Sequence, residues 1–172
     1  MEEKVVLVDD RDNVVGSAPK LQAHREGSLH RAISVFLFSP AGEMLLQRRA
    51  AGKYHSAGLW TNACCSHPRL GEKPHQAAVR RLEEEMGLAC PLSHVFSFIY
   101  RAALDGGLIE HELDHVFVGV VEADPDPDPA EVDAWRWIDL GALERELALA
   151  PETFTAWFPI ALRQVLARRG IE

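Results

Sequence analysis

The chain has 172 residues, 47% of them hydrophobic, and 26 acidic against 18 basic side chains give it a formal charge of −8 at pH 7. That length supports one domain with a real core and is short for two, while the negative charge argues against nucleic acid or an anionic membrane as principal partner. Three cysteines do not make a disulfide framework, no apolar run is of spanning length, and MEEKVVLVDD lacks the basic start and long apolar centre of a signal peptide. A cytoplasmic protein with free thiols is expected.

Lys4 to Val8 reads as a short apolar strand, and Asp9 to Asn13 as a tight turn into Val14 and Val15. Pro19 to Glu26 is predicted as a brief helix, with Pro near its start, Gly27 past its end and His24 in its last turn. His30 stands just before a buried strand, Ser34 to Phe38, which Ser39-Pro40-Ala41-Gly42 turns into another, Met44 to Arg49. An irregular, glycine-bounded loop with Lys53, Tyr54 and His55 follows.

Gly58 to Leu88 holds the densest group of reactive side chains, with Cys64, Cys65, His67 and the run Glu83-Glu84-Glu85. Ala78, Leu82 and Met86 fall four apart and Gly87 stands where a left-handed cap is expected, which predicts a helix from Pro74 to Met86. Its last turn then carries three glutamates at the negative end of the macrodipole, each costing roughly 0.3 to 1 kcal/mol unless compensated. Arg80 and Arg81, four residues before Glu84 and Glu85, are in the poorer orientation for that. The run is either a solvated acidic face or the site of a bound cation.

Val95 to Leu104 alternates as a strand, Asp105-Gly106-Gly107 is a hairpin signal, and Leu108 to Val121 returns as the partner. Glu110 and Glu112, two apart, point to one face of that strand. So close a pair repels unless a proton or a cation sits between them. Tyr100 lies across the hairpin from them. The run DPDPDPAE, 124–131, cannot be helix or central strand and reads as an exposed loop. Val132 to Ile138 is a strand and Leu140 to Leu149 a short helix. Phe154, Trp157, Phe158, Ala161, Leu162, Val165 and Leu166 form the stripe of a terminal helix, with Trp157 near its start.

Counted back from Gly87, residues 66–88 resemble the Nudix box: Gly, five residues, Glu, seven residues, then Arg-Glu-apolar-x-Glu-Glu-x-Gly-apolar. Glu72, Arg80, Leu82, Glu84, Glu85, Gly87 and Leu88 match, whereas Ser66 stands for the first Gly and Arg81 for the Glu after the Arg. In Nudix hydrolases that Glu helps hold the magnesium used to split diphosphates, so Arg81 speaks against a pyrophosphohydrolase. Thr61 to Pro68, TNACCSHP, preceded by Gly58-Leu59-Trp60, resembles the active-site motif of the type I isopentenyl-diphosphate isomerases, a Nudix branch that moves a double bond instead. The likeness runs over nearly the whole chain.

The resemblance implies an α/β (α+β) Nudix-like fold, with a mixed sheet packed between helices in a single compact domain over 1–172. An N-terminal extension of about 1–30 would contribute metal and substrate ligands. It implies Cys65 as a catalytic residue opposed by Glu112 and Tyr100, and for the forward direction protonation falls to Glu112 with Tyr100 and deprotonation to Cys65. His24, His30, His67, Glu110 and Glu112 are the implied ligands of one divalent metal, and that donor set suits manganese or zinc. Glu85 and the Cys65 backbone carbonyl are implied contacts of a magnesium ion carried with the substrate diphosphate. Lys20, Arg49, Lys53 and Arg81 would face that diphosphate and Trp157 the carbon skeleton. The implied partner is a small isoprenoid diphosphate. A monomer is expected, with a dimer left open. A structural zinc site on Cys64, Cys65 and His67 lacks a second ligand pair, and Cys90, His55, His75, His94, His111 and His115 receive no role.

Overall fold

In the computed structural model, which describes residues 2–169, β1 (Lys4–Val8) and β2 (Val14–Pro19) form the expected hairpin. Asp9 closes its turn by accepting the backbone N–H groups of Arg11 and Asn13 at 2.9 Å each. Helix α1 (Lys20–Glu26) ends on Gly27, whose φ of 70° is the left-handed conformation that a helix stop favours.

Strand β3 (His30–Phe38) begins at His30, four residues before the predicted start. The reason is pairing: Leu7 lies opposite His30 on one side, and on the other the parallel strand β8 (Ile109–Val120) sets Glu112 opposite His30. With neighbours on both edges and both faces covered, β3 is a near-continuous apolar run. Strand β4 (Met44–Arg49) follows it and pairs antiparallel with β9 (Val132–Ile138). Strand β7 (Ser93–Ala103) pairs antiparallel with β8 across a turn at Asp105–Gly107, and the register sets Tyr100 opposite Glu112. Two strands were not foreseen, β5 (Trp60–Thr61) on β4 and β6 (Cys64–Ser66) on β3. Both are too short to show a period.

Side chains alternate across β3, and the alternation divides the core. Ile33, Val35 and Leu37 pack with Ala77, Ala78, Leu82 and Met86 of α2 (Pro74–Met86). Phe36 and Phe38 pack on the opposite face with Phe158, Ala161, Leu162 and Val165 of α4 (Phe158–Arg169) and with Leu143 of α3 (Leu140–Leu149). The sheet is thus mixed and lies between helices. Among the described residues, no helix is long and apolar enough to cross a membrane.

The terminal helix corrects the sequence reading. It starts at Phe158, so Phe154 and Trp157 precede it. Thr155 N–H is committed to Trp60 O at 2.9 Å, which holds the approach extended, and Pro159 suits a first helical turn.

Helix α2 matches its predicted bounds. Two of the three glutamates in its acidic last turn are paired within the chain, Arg81 meeting Glu85 at 2.7 Å and Arg80 meeting Glu84 at 3.3 Å, with Arg80 also on Glu72 at 2.8 Å. Gly87 ends it with a φ of 63°, and a Cβ there would lie 2.6 Å from the Asp126 carbonyl oxygen. Gly87→Ala is therefore expected to destabilise the fold by about 1 to 3 kcal/mol, read as a lower midpoint in urea unfolding; an unchanged midpoint would contradict this account of the helix stop.

Candidate active site

The parallel pairing of β3 with β8 and the antiparallel pairing of β3 with β6 bring the predicted residues to one end of the sheet. His30 opens β3, Glu110 and Glu112 lie at the start of β8, His67 follows β6, and His24 comes from the last turn of α1. One ligand atom each from His24, His30, His67 and Glu110 lies within 4.8 Å of the others. Glu112 joins them through Oε2, which is 2.8 Å from His67 Nε2 and 3.3 Å from His30 Nε2. All five predicted metal ligands of this set therefore converge.

The tautomers show what the cluster lacks. His24 Nδ1 donates to Lys20 O at 2.8 Å and His30 Nδ1 to Ser28 O at 2.9 Å. A carbonyl can only accept, so in each neutral ring Nε2 carries a lone pair. Those lone pairs face carboxylates: His24 Nε2 lies 3.0 Å from Glu110 Oε1, and His30 Nε2 lies 3.6 Å from the same oxygen. His30 Nε2 and His67 Nδ1 are buried with no hydrogen-bond partner among the described residues. Lone pair against carboxylate is repulsive, so the centre requires a positive charge, either a proton or a divalent cation. Imidazoles oriented by backbone carbonyls are the usual support of a metal site, and the donor set fits a borderline divalent ion.

Buried charge is distributed unevenly over this group. Burial and the neighbouring Glu112 push Glu110 well above the usual carboxylate range. Burial also opposes ionisation of Glu112, but the imidazoles of His30 and His67 outweigh it and hold Glu112 well below that range. Burial lowers His67 to about 4 despite its bond to Glu112. Tyr100 donates its hydroxyl to Glu112 Oε1, and burial with the adjacent carboxylate keeps that hydroxyl protonated.

Cys65 belongs to the same cleft, which is lined also by Glu110, Glu112, His67 and Trp157. Its thiol donates to Asn62 Oδ1 at 3.1 Å and its sulfur accepts the indole N–H of Trp157 at 3.1 Å. Burial, reinforced by Asp114, pushes the thiol up to about 12, so it rests protonated.

The four predicted basic residues, Lys20, Arg49, Lys53 and Arg81, line this cleft as well. Lys20 reaches Glu3 at 3.4 Å and Lys53 reaches Glu131 at 2.6 Å. Arg49 donates to His55 O at 3.2 Å and lies over the Trp157 ring, 5.4 Å from its centroid. Arg81 is the most committed, donating to Ser66 Oγ at 2.8 Å, Glu84 at 2.6 Å and Glu85 at 2.7 Å, with Glu131 at 3.4 Å.

Residues 28–158 match the NUDIX domain family. The chain is 52% identical over 171 residues to isopentenyl-diphosphate Delta-isomerase 2 of Aromatoleum aromaticum, covering 99% of this chain and 90% of that protein. It is likewise 52% identical over 158 residues to the isopentenyl-diphosphate Delta-isomerase of Serratia proteamaculans, covering 92% and 88%. The chain belongs to this isomerase family, within the Nudix superfamily. Two solved structures share the fold alone: DR0079 of Deinococcus radiodurans (TM-score 0.80, 20% identity, 94% of this chain and 98% of that one) and a MutT protein of Methanosarcina mazei (TM-score 0.61, 21% identity, 75% and 86%).

Within this family frame, the Arg81 departure has a physical reading. Where a Nudix hydrolase would carry another carboxylate, this chain carries a guanidinium already shared among Glu84, Glu85 and Glu131. Glu85, 5% exposed, is further held by Gln47 at 3.3 Å. The acidic run thus has its cation built into the helix.

Several site residues were not read from the sequence. His55 was assigned no role, yet it is buried, lies 3.7 Å from Glu110 Oε2 through Nε2, and is lowered by burial and by Arg49 to about 2, so it stays neutral. Tyr54 meets His24 Nδ1 at 3.1 Å. Asp114 is 1% exposed and accepts Ser34 Oγ–H at 2.7 Å, and the same Ser34 Oγ lies 3.7 Å from Cys65 Sγ. Its place two residues past Glu112, on the same strand face, was the available signal.

Manganese or zinc at a hundred times its dissociation constant is expected to raise the wild-type melting temperature by roughly 5 to 10 °C. His30→Ala is expected to abolish that shift. Equal shifts in both proteins, by differential scanning fluorimetry, would remove His30 from the metal site.

Proposed function

We propose that this protein catalyses the metal-dependent isomerisation of isopentenyl diphosphate to dimethylallyl diphosphate, acting in the cytoplasm in isoprenoid synthesis. The observation that carries this reading is one cleft lined by a thiol, Cys65, and a carboxylate, Glu112, together with Lys20, Arg49, Lys53 and Arg81. A double-bond shift needs those parts. One proton is added at the terminal alkene carbon, one is removed from the methylene that lies between the alkene and the diphosphate-bearing carbon, and no bond to the diphosphate is made or broken.

The intermediate has tertiary carbocation character, which water would trap, so the reacting carbons need an enclosed wall. Trp157, 3% exposed, supplies part of it, and its ring can stabilise the developing charge by around 2 kcal/mol or more when desolvated. Lys20, Arg49, Lys53 and Arg81 would bind the diphosphate through charge-assisted contacts, the route by which a protein of net negative charge holds an anion. His24, His30, His67, Glu110 and Glu112 would hold manganese or zinc, and Glu85 with the Cys65 carbonyl a magnesium ion on the diphosphate; these supply positive charge that offsets the carboxylates and the substrate.

For the forward direction we assign protonation of the terminal carbon to Glu112 with Tyr100 and deprotonation of the methylene to Cys65, whose sulfur is oriented by Asn62 and Trp157. Burial pushes the Cys65 thiol up to about 12, so a base at this position is expected to give a kcat/KM that rises about tenfold per pH unit from pH 7 to 9. A flat profile over that range would make the protonated thiol the working form and reverse the two roles.

Incubation with isopentenyl diphosphate and a divalent metal in deuterated water, followed by NMR, is expected to yield deuterated dimethylallyl diphosphate. Unchanged substrate under manganese, zinc and magnesium would remove the isomerase reading, and free phosphate would point to a Nudix pyrophosphohydrolase. Cys65→Ala and Glu112→Gln should each lower turnover by a factor of about a thousand or more with the fold retained. Near-wild-type turnover in either would overturn that residue's role.

A further inference from the structure

Asn62 is 0% exposed and uses its carboxamide fully. Nδ2 donates to two backbone carbonyls, Val35 O and Cys64 O, at 2.9 Å each. Those two acceptors fix which end of the amide is nitrogen. Oδ1 therefore faces the site, where it accepts the Cys65 thiol at 3.1 Å and the Thr61 hydroxyl at 2.9 Å. The chain of bonds continues outward, since Thr61 Oγ1 accepts the hydroxyl of Thr155 at 3.0 Å. Thr61 and Thr155 are each 1% exposed, so neither hydroxyl has water as an alternative partner.

Thr155 lies two residues before Trp157, whose indole N–H returns to the Cys65 sulfur at 3.1 Å. The bonds make a closed loop: thiol to Asn62, Asn62 to Thr61, Thr61 to Thr155, along the backbone to Trp157, and back to sulfur. Thr155 N–H, bonded to Trp60 O at 2.9 Å, anchors the same segment a second time. Sulfur and indole are thus set by one polar network that crosses from β5 and β6 to the segment before α4.

We propose that Asn62 is a positioning residue of the reaction: its carboxamide oxygen fixes the Cys65 thiol and, through Thr61 and Thr155, locks that thiol to the segment that presents Trp157. The proposal rests on the reading of Cys65 as a proton-transfer group. Chemistry of this kind is sensitive to placement, a displacement of about 1 Å costing on the order of a hundredfold in rate.

The test pairs Thr155→Val, which keeps shape and removes the hydroxyl, with Thr155→Ser, which keeps the hydroxyl. Two quantities are measured: steady-state turnover of isopentenyl diphosphate, and the rate at which iodoacetamide labels each cysteine, resolved by peptide mass spectrometry. Thr155→Val is expected to lower kcat about tenfold with KM within about twofold, and to speed Cys65 labelling about fivefold while Cys64 and Cys90 keep their wild-type rates. Thr155→Ser is expected to restore both quantities. Asn62→Asp, nearly isosteric but without the amide donors, is expected to lose kcat by about a hundredfold or more.

Equal labelling of Cys65 in wild type, Thr155→Val and Thr155→Ser overturns the proposal. So does accelerated labelling of Cys64 alongside Cys65, which would mean general loosening, and so does a loss that falls on KM. Labelling needs no turnover, so it decides the role of the network even where wild-type protein leaves isopentenyl diphosphate unchanged, the result that would remove the isomerase reading alone. Should Asn62→Asp fail to fold, the Thr155 pair carries the test by itself.

Discussion

Two carboxylates two residues apart, both almost without solvent, set the constraint on which this site depends. Glu110 is 3% and Glu112 7% exposed, and ionised together without compensation they would be untenable at such burial. The chain meets this with three imidazoles whose outward nitrogens are already spent on carbonyls or left without protein partners. Such rings cannot neutralise both acids while remaining neutral themselves. A positive charge at the centre, a proton or a divalent cation, would relieve the repulsion, and a divalent cation would satisfy the inward lone pairs as well.

A second acidic group, at the end of α2, solves the same problem differently. Glu84 and Glu85 share the guanidinium of Arg81, and Glu131 approaches it from the loop before β9. A fixed guanidinium is directional and cannot exchange, whereas a metal ion can polarise what it touches. Arg81 in place of a carboxylate therefore withdraws ligand capacity from this end of α2 and puts a guanidinium on the cleft wall.

How much of this could be read from the residues follows from range. Helix α2 and the β7–β8 hairpin were legible to within a residue or two, because a four-residue stripe ended by Gly87 and an alternating strand ended by Asp105-Gly106-Gly107 are local patterns. The facing of Tyr100 and Glu112 followed from the hairpin register. Composition and spacing alone left His24, His30 and His67 as isolated histidines, and only the family resemblance grouped them. Strands β5 and β6 have no period, so the pairing of Cys65 with Ser34, and with it the approach of Asp114, was hidden. His55 was hidden for another reason: Trp157, about a hundred residues away in the chain, meets its ring edge-on, a contact that no short window contains.

One face of β3 explains why the site and the core can be neighbours. Counting by twos along that strand, His30 and Ser34 serve the cleft, while Phe36 and Phe38 enter the aromatic cluster beneath α4. The polarity of the face changes within two residues. The chain crossing that boundary changes in step: Phe158 stacks on Phe36 at 6.1 Å between ring centroids, and the residue before it, Trp157, bonds to the Cys65 sulfur. Core packing of one aromatic therefore fixes the approach of the next. Because Phe158 is fully buried between Phe36 and Phe154, Trp157 needs little ordering of its own to hold its place, and the entropy of positioning it is met by the same contacts that stabilise the fold.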